Sequence, residues 1–116
     1  VNVQKLFERY NRRFFGGKLC GWTVDEVHLH DSLNGFHGEY GDCCVERREI
    51  FIQMGLAPTE KRKTLLHEMC HAATPDDSLH GASWQREMFR IAELGARGIG
   101  SEARSYAAKS QAMLLK

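Results

Sequence analysis

Thr64-Leu65-Leu66-His67-Glu68-Met69-Cys70-His71-Ala72-Ala73 decides the reading of this chain. Positions four apart on an α-helix lie one above the other. A helix here therefore presents His67 and His71 to a single point, the arrangement of an H-E-x-x-H metal site. Glu68, between them, projects toward the place where a metal-bound water would sit and where a carboxylate takes up a proton. Leu65, Leu66, Met69, Cys70, Ala72 and Ala73 give the same segment the apolar body of a buried helix. The competing reading is two core histidines with satisfied hydrogen bonds. The context weighs against it, because His80 follows after a short polar break. A catalytic zinc takes three protein ligands and keeps one position for water.

Working back from the motif, Gly55–Pro58 breaks the chain, and Pro58-Thr59 starts the site helix, which runs to about Ala73. Lys61, Arg62 and Lys63 are expected on its exposed first turns. Glu49-Ile50-Phe51-Ile52-Gln53-Met54 alternates as a central strand with Ile50, Ile52 and Met54 toward the core. Phe36-His37-Gly38-Glu39-Tyr40-Gly41 is a glycine-interrupted strand, suited to a sheet edge or to a close approach of backbone to ligand. Asn34-Gly35 is a hairpin signal that ties it to a strand at 22–30. In that strand Val27 and Leu29 point one way and His28 and His30 the other, so His28-x-His30 is a second candidate metal pair. Val3, Leu6, Phe7, Tyr10 and Phe14 mark an amphipathic helix over 1–15, closed by Gly16-Gly17.

Beyond the motif, Thr74-Pro75-Asp76-Asp77-Ser78 is a turn-rich loop that delivers His80. Trp84, Met88, Ile91 and Ala92 form one face of a following helix ending near Gly95, with Trp84 and Phe89 read as core packing. Ser101 is expected to cap a last helix through about Leu115.

At 116 residues the chain is expected to be one domain, 1–116, with a real core. No segment has the apolar length of a membrane span and no signal peptide is visible, although a start at Val1 is consistent with a trimmed chain. A net charge of +1 gives no global pull toward nucleic acid. Arg9/Arg12/Arg13, Arg47/Arg48 and Lys61–Lys63 allow phosphate contacts without requiring them, and for the first helix a solvated face is the simpler account. Cys20, Cys43, Cys44 and Cys70 form no C-x-x-C pair and no disulfide framework, which points to an intracellular, cytoplasmic or nuclear, reducing location.

In order, Leu6-Phe7, Tyr10-Asn11, Phe14-Phe15-Gly16-Gly17-Lys18-Leu19, Ile50-Phe51-Ile52, Thr64 to Ala72, and His80-Gly81 with Trp84 and Met88-Phe89-Arg90-Ile91 resemble the SprT-like zinc metallopeptidases over roughly residues 1–95. The resemblance implies an α+β, zincin-like fold: an N-terminal helix, a small and mostly antiparallel sheet of three to four strands, the site helix, and one or two C-terminal helices. It implies zinc on His67, His71 and His80, Glu68 as general base, a protein or peptide substrate, and DNA-bound or crosslinked proteins within that class, with DNA itself a permitted partner and a membrane not one. Two departures stand out. The interval from His71 to His80 is short, so the loop must be tight, and the cysteine-rich DNA-binding segments of some members are absent.

Other zincin patterns fit less well. A metzincin would have Gly and His where Thr74 and Asp77 stand, whereas a thermolysin-like site would take its third ligand from Glu87 or Glu93. Tyr40, His37 and Tyr106 are candidate donors to a tetrahedral intermediate. From another functional class, a zinc-stabilised binding module would close its coordination with His37 or Cys43.

Overall fold

The computed structural model describes residues 2–29 and 40–114. The Asn34-Gly35 turn, His30, His37 and most of the expected 36–41 strand lie outside the described residues.

Helix α1, Val3–Phe14, starts on Asn2, whose side chain accepts the Lys5 N–H, and buries Val3, Leu6, Phe7 and Phe14. It stops where expected. Gly16 and Gly17 take φ of +59° and +78°, and the backbone N–H groups of Phe15 and Gly17 both donate to the Asn11 carbonyl. The buried Asn11 side chain accepts the Leu19 N–H at 2.9 Å, which fixes the chain's exit from the helix. Gln4 then fastens α1 to the next strand by accepting the Val24 N–H at 2.8 Å.

Among the described residues three strands follow: β1 (Thr23–Val27), β2 (Gly41–Cys44) and β3 (Glu49–Gln53), in the spatial order β1-β3-β2. β3 is central, as its alternation indicates, and Ile50 and Ile52 are fully buried. The expected mostly antiparallel sheet is instead mixed. β2 and β3 pair antiparallel across the 45–48 turn, but β1 pairs parallel with β3. The cause is topological: β3 comes back from β2 and inserts between it and β1, so it runs in the direction of β1.

Three local expectations also change. In β1 the core-facing residue is Val24, in register with Ile50, whereas Val27 lies on the opposite face and Leu29 is buried beyond the strand's end. Met54 is 44% exposed because β3 ends at Gln53 and the chain turns through Gly55 at φ +84°. The edge strand contains Asp42, Cys43 and Cys44, whose sequence carries little strand signal.

Helix α2, Pro58–Ala73, has Pro58 at its first turn and buries Leu65, Leu66, Met69, Cys70 and Ala72 against the sheet. Its first turns are less exposed than their charges suggest. Lys61 is tied to Glu26 of β1 at 2.8 Å and Lys63 to Glu60 at 3.3 Å, leaving Arg62 in solvent. Helix α3, Ala82–Glu93, buries Trp84, Met88 and Ile91 completely. Helix α4, Gly100–Leu114, begins one residue before Ser101, which lies exposed in its first turn, and adds Ala103 to the core. Among the described residues no helix is long and apolar enough to cross a membrane.

Candidate metal centre

His67 and His71 project from one face of α2, and His80 comes in from the loop before α3. One ring nitrogen from each lies within 4.8 Å of the others, forming a group that can hold a metal ion. The His67 and His80 Nε2 atoms face each other at 3.0 Å. Beneath the three rings lies Trp84. Its indole is 4.8 Å from His67, 4.5 Å from His80, and stacked with His71 at 5.4 Å between centroids. The indole N–H donates to the His67 carbonyl at 3.3 Å, anchoring this platform to the site helix.

The short His71–His80 loop is held by Asp77. Its two carboxylate oxygens accept the Gly81 and Trp84 N–H groups, at 3.1 and 3.0 Å, so Asp77 caps the start of α3 from outside the helix. Burial alone would raise the Asp77 pKa, but these backbone hydrogen bonds and the His71 charge bring it below its ordinary value. A side chain at Gly81 would meet the Asp77 carboxylate oxygens at 3.0 Å and press on this cap.

Electrostatics keep the imidazole nitrogens available. Burial, reinforced by His67 and His80, lowers the His71 pKa to about 4, and burial and His67 also lower that of His80. Both rings are favoured in the neutral form, with a lone pair to offer. His67 is oriented differently: its Nδ1 lies 2.9 Å from Oε2 of Glu102 on α4. Burial opposes ionisation of Glu102, but the His67 hydrogen bond and the charges of His67, His80 and Lys63 outweigh it and lower its pKa. An ionised carboxylate only accepts, so the His67 proton sits on Nδ1 and the Nε2 lone pair faces His80.

Glu68 is buried at 6% exposure, with Oε2 3.9 Å from His67 Nε2. The edge strand presses against it. A Cβ at Gly41 would sit 2.8 Å from Thr64 Cγ2 and 3.0 Å from both Cγ and Oε2 of Glu68. The site opens into a cleft of about 420 Å³ lined by Tyr40, Gly41, Glu68, His80, Glu102 and Tyr106, among others.

The sequence profile of the SprT-like family matches residues 3–106. This chain belongs to the SprT-like family. It is 31% identical to the DNA-dependent metalloprotease SPRTN of Rattus norvegicus, and likewise to that of Mus musculus, over 109 positions covering 84% of this chain. Identity to the Danio rerio protein of the same name is 30% over 108 positions. The chain spans only about a fifth of the length of these relatives. Its fold is similar to that of the metallopeptidase zymogen of Pyrococcus abyssi abylysin, with a TM-score of 0.60 over 98% of this chain and 96% of the other at 18% identity. The α+β, zincin-like architecture is the expected one.

Within this SprT-like site the remaining candidates separate. Glu87 is engaged by Arg90 on α3 and Glu93 is exposed, so neither joins the histidine group. His28 is exposed past the end of β1 and also stands apart from it. Cys43 lies beside the site but outside the group, its thiol pushed up to about 12 by burial and by Glu68, Asp42 and Cys44. Tyr106 packs over the His80 ring at 4.2 Å and Tyr40 lines the cleft, whereas His37 lies outside the described residues. All four cysteines are free.

Sequence reasoning missed Glu102, Asp77 and the platform role of Trp84. Glu102, Tyr106 and Ser110 recur four apart on α4, and Ser110 accepts a hydrogen bond from Gln85 at 3.0 Å. That spacing was the available signal for a face turned toward the histidines.

Proposed function

We propose that this chain carries the catalytic site of a zinc-dependent endopeptidase, with His67, His71 and His80 as ligands and Glu68 as general base. The observation that carries this reading is the convergence of three imidazole nitrogens beside a buried carboxylate at the wall of an open cleft. The donor set suits zinc. A tetrahedral ion with Zn–N bonds of about 2.05 Å separates its nitrogens by roughly 3.3 Å, between the 3.0 Å and 4.8 Å found here. Among the described residues the group is His67, His71 and His80, and this proposal leaves the fourth position to water.

When bound, zinc supplies Lewis acidity and brings the pKa of water toward neutrality. Glu68 accepts the proton of the attacking water and returns it to the leaving amine. Its burial between α2 and Gly41 keeps the carboxylate aimed into the cleft. Tyr40 and Tyr106 line the cleft and are its candidate donors to a developing oxyanion. Among the described residues β2 is the edge strand beside the cleft, so an extended substrate can add to it through backbone hydrogen bonds, which favours shape over sequence. The relatives are named DNA-dependent metalloproteases, which supports DNA as a partner; proteins bound or crosslinked to DNA are the narrower substrate class of this proposal.

The test compares zinc content and cleavage of an unstructured protein by wild type, Glu68→Gln, His80→Ala and Glu87→Ala. Glu68→Gln should keep zinc and lose about 10²–10⁴-fold in rate. His80→Ala should lose zinc, and Glu87→Ala should change neither. Full proteolysis by Glu68→Gln, or loss of zinc from Glu87→Ala alone, would defeat the assignment.

A further inference from the structure

A second groove, of about 460 Å³, lies between α1, the first turns of α2 and the segment joining α3 to α4. Its rim is cationic. Arg13, Arg62, Lys63 and Arg97 line it, and no carboxylate does. Lys63 is shared with Glu60, but among the described residues Arg13, Arg62 and Arg97, all exposed, form no ion pair. Arg62, Arg13 and the nearby Arg9 also bear on the Tyr10 hydroxyl, where their charges oppose the rise that burial gives its pKa. In a chain whose net charge is only +1, this convergence confines the attraction for anions to one short concavity.

The floor is apolar. Phe14, Leu66 and Ala96 line it although each is buried in the core. Tyr10, half-buried, leans on Phe14 with ring centroids 5.6 Å apart, and the Arg13 guanidinium lies 5.1 Å from the centre of the same Phe14 ring. Little aromatic face is left open, so the groove offers a hollow for an inserted side chain rather than a flat ring for stacking. Gly95 and Gly98 add no side chain to narrow its far wall, and a Cβ at Gly98 would lie 3.1 Å from the Lys63 stem. Lys63 and Gly98 also line the metal cleft, so the two depressions meet.

We propose that this groove docks a short acidic peptide segment of another protein, with an apolar side chain inserted over Phe14 and Leu66 and flanking carboxylates on Arg13, Arg62 and Arg97. Charge complementarity and depth carry the assignment together. Guanidinium forks donate to carboxylates in bidentate pairs, which fix the register of the peptide. Exposed ion pairs alone give little affinity, and the apolar floor supplies the rest. A nucleic acid would use the cations but find no open ring for its bases, and a free anion would leave the floor empty. The volume is that of a site for a drug-sized ligand, enough for a few residues of extended chain. The inference rests on the peptidase reading in one respect only: a protein held by such a segment has its adjoining chain delivered to the metal cleft past Lys63 and Gly98.

The probes are two fluorescein-labelled peptides, Asp-Glu-Phe-Glu-Asp and Asp-Glu-Ala-Glu-Asp, followed by anisotropy on the Glu68→Gln background so that hydrolysis plays no part. Circular dichroism of each variant checks its fold. The phenylalanine peptide should bind about tenfold or more tighter than the alanine one, as burial of its ring requires. Arg62→Gln with Arg97→Gln should weaken it by about tenfold, whereas Arg47→Gln, which removes an arginine outside the groove, should change nothing. A dissociation constant above about 1 mM, equal binding of the two peptides, or wild-type affinity in the double arginine variant would overturn the proposal. So would displacement by inorganic phosphate, or by a single-stranded oligonucleotide, at the peptide's own concentration. With the wild-type chain, fusing the phenylalanine peptide to an unstructured protein substrate should lower KM several-fold at unchanged kcat, and a KM indifferent to the fusion would strike the delivery role. Peptide binding by a chain that cleaves nothing would defeat the peptidase reading alone, whereas cleavage without peptide binding would defeat this one alone.

Discussion

Glu102 Oε2 accepts a hydrogen bond from His67 Nδ1 at 2.9 Å across 35 residues of sequence, so the last helix selects the tautomer of the first imidazole in the H-E-x-x-H motif. Carboxylates in this position raise the basicity of a ligating ring and hold its plane. Removing the acceptor by Glu102→Ala should weaken zinc binding about 10–100-fold in a chelator competition. Glu102→Gln, whose amide oxygen still accepts, should recover part of that loss. Equal zinc affinity in wild type and Glu102→Ala would show that α4 only covers the site.

Gly41 is a matter of space. Its backbone stays out of the left-handed region, but a methyl group there would overlap Thr64 Cγ2 and press on Glu68. Thr64 is β-branched on a helix and has little rotamer freedom to withdraw. Gly41→Ala should therefore cost about 1–3 kcal/mol in unfolding free energy. It should also lower kcat more than zinc affinity, because Glu68 is displaced while the imidazoles are not. Adding Thr64→Ser removes the closest contact and should return stability before activity. Retention of full kcat in Gly41→Ala would mean that β2 yields without moving the carboxylate.

The motif made the site helix and its two imidazoles legible in the sequence, since a spacing of four is a local property of the chain. β3 was legible for a similar reason, its alternation of Ile50 and Ile52. What was hidden depended on distant packing. Asp42-Cys43-Cys44 has little strand propensity and becomes a strand because β3 is there to pair with it. Met54 continued an alternation that Gly55 cuts off. Asp77 reads locally as a turn residue, and only the position of α3 turns it into a cap. Trp84 was correctly expected in the core, where it is fully buried, but the same ring is also the floor under the histidines.

The Asp77 cap gives the structure an acid-sensitive element. The folded-state pKa of Asp77 lies below its ordinary value, so its contribution is fully present above the unfolded pKa. That contribution is lost as pH falls through the folded one. Asp77→Ala should cost about 1 kcal/mol at pH 7, the usual worth of a cap. The difference from wild type in urea unfolding should shrink as pH drops below about 4. Asp77→Asn, which can still cap without a charge, should lose less at pH 7 and flatten this dependence. A gap between wild type and Asp77→Ala that stays constant down to about pH 2 would remove the charge from the account.

Trp84 offers an optical report on the same centre. Its ring lies within 5.4 Å of all three imidazole centroids and donates its N–H to the His67 carbonyl, so ordering those rings around an ion must change its surroundings. The other tryptophan, Trp22, is buried between α1 and β1 and reports on a different part of the molecule. With Trp22→Phe as background, zinc titration should change the emission of the remaining indole and saturate at one ion per chain. Trp84→Phe should abolish the signal and weaken zinc binding, because the smaller ring leaves the platform incomplete and the His67 carbonyl without its donor. Trp84→Ala should destabilise the fold by about 3–5 kcal/mol through the cavity it leaves. Emission that ignores zinc, in a sample shown to have bound it, would mean that the ion sits away from the three rings over Trp84.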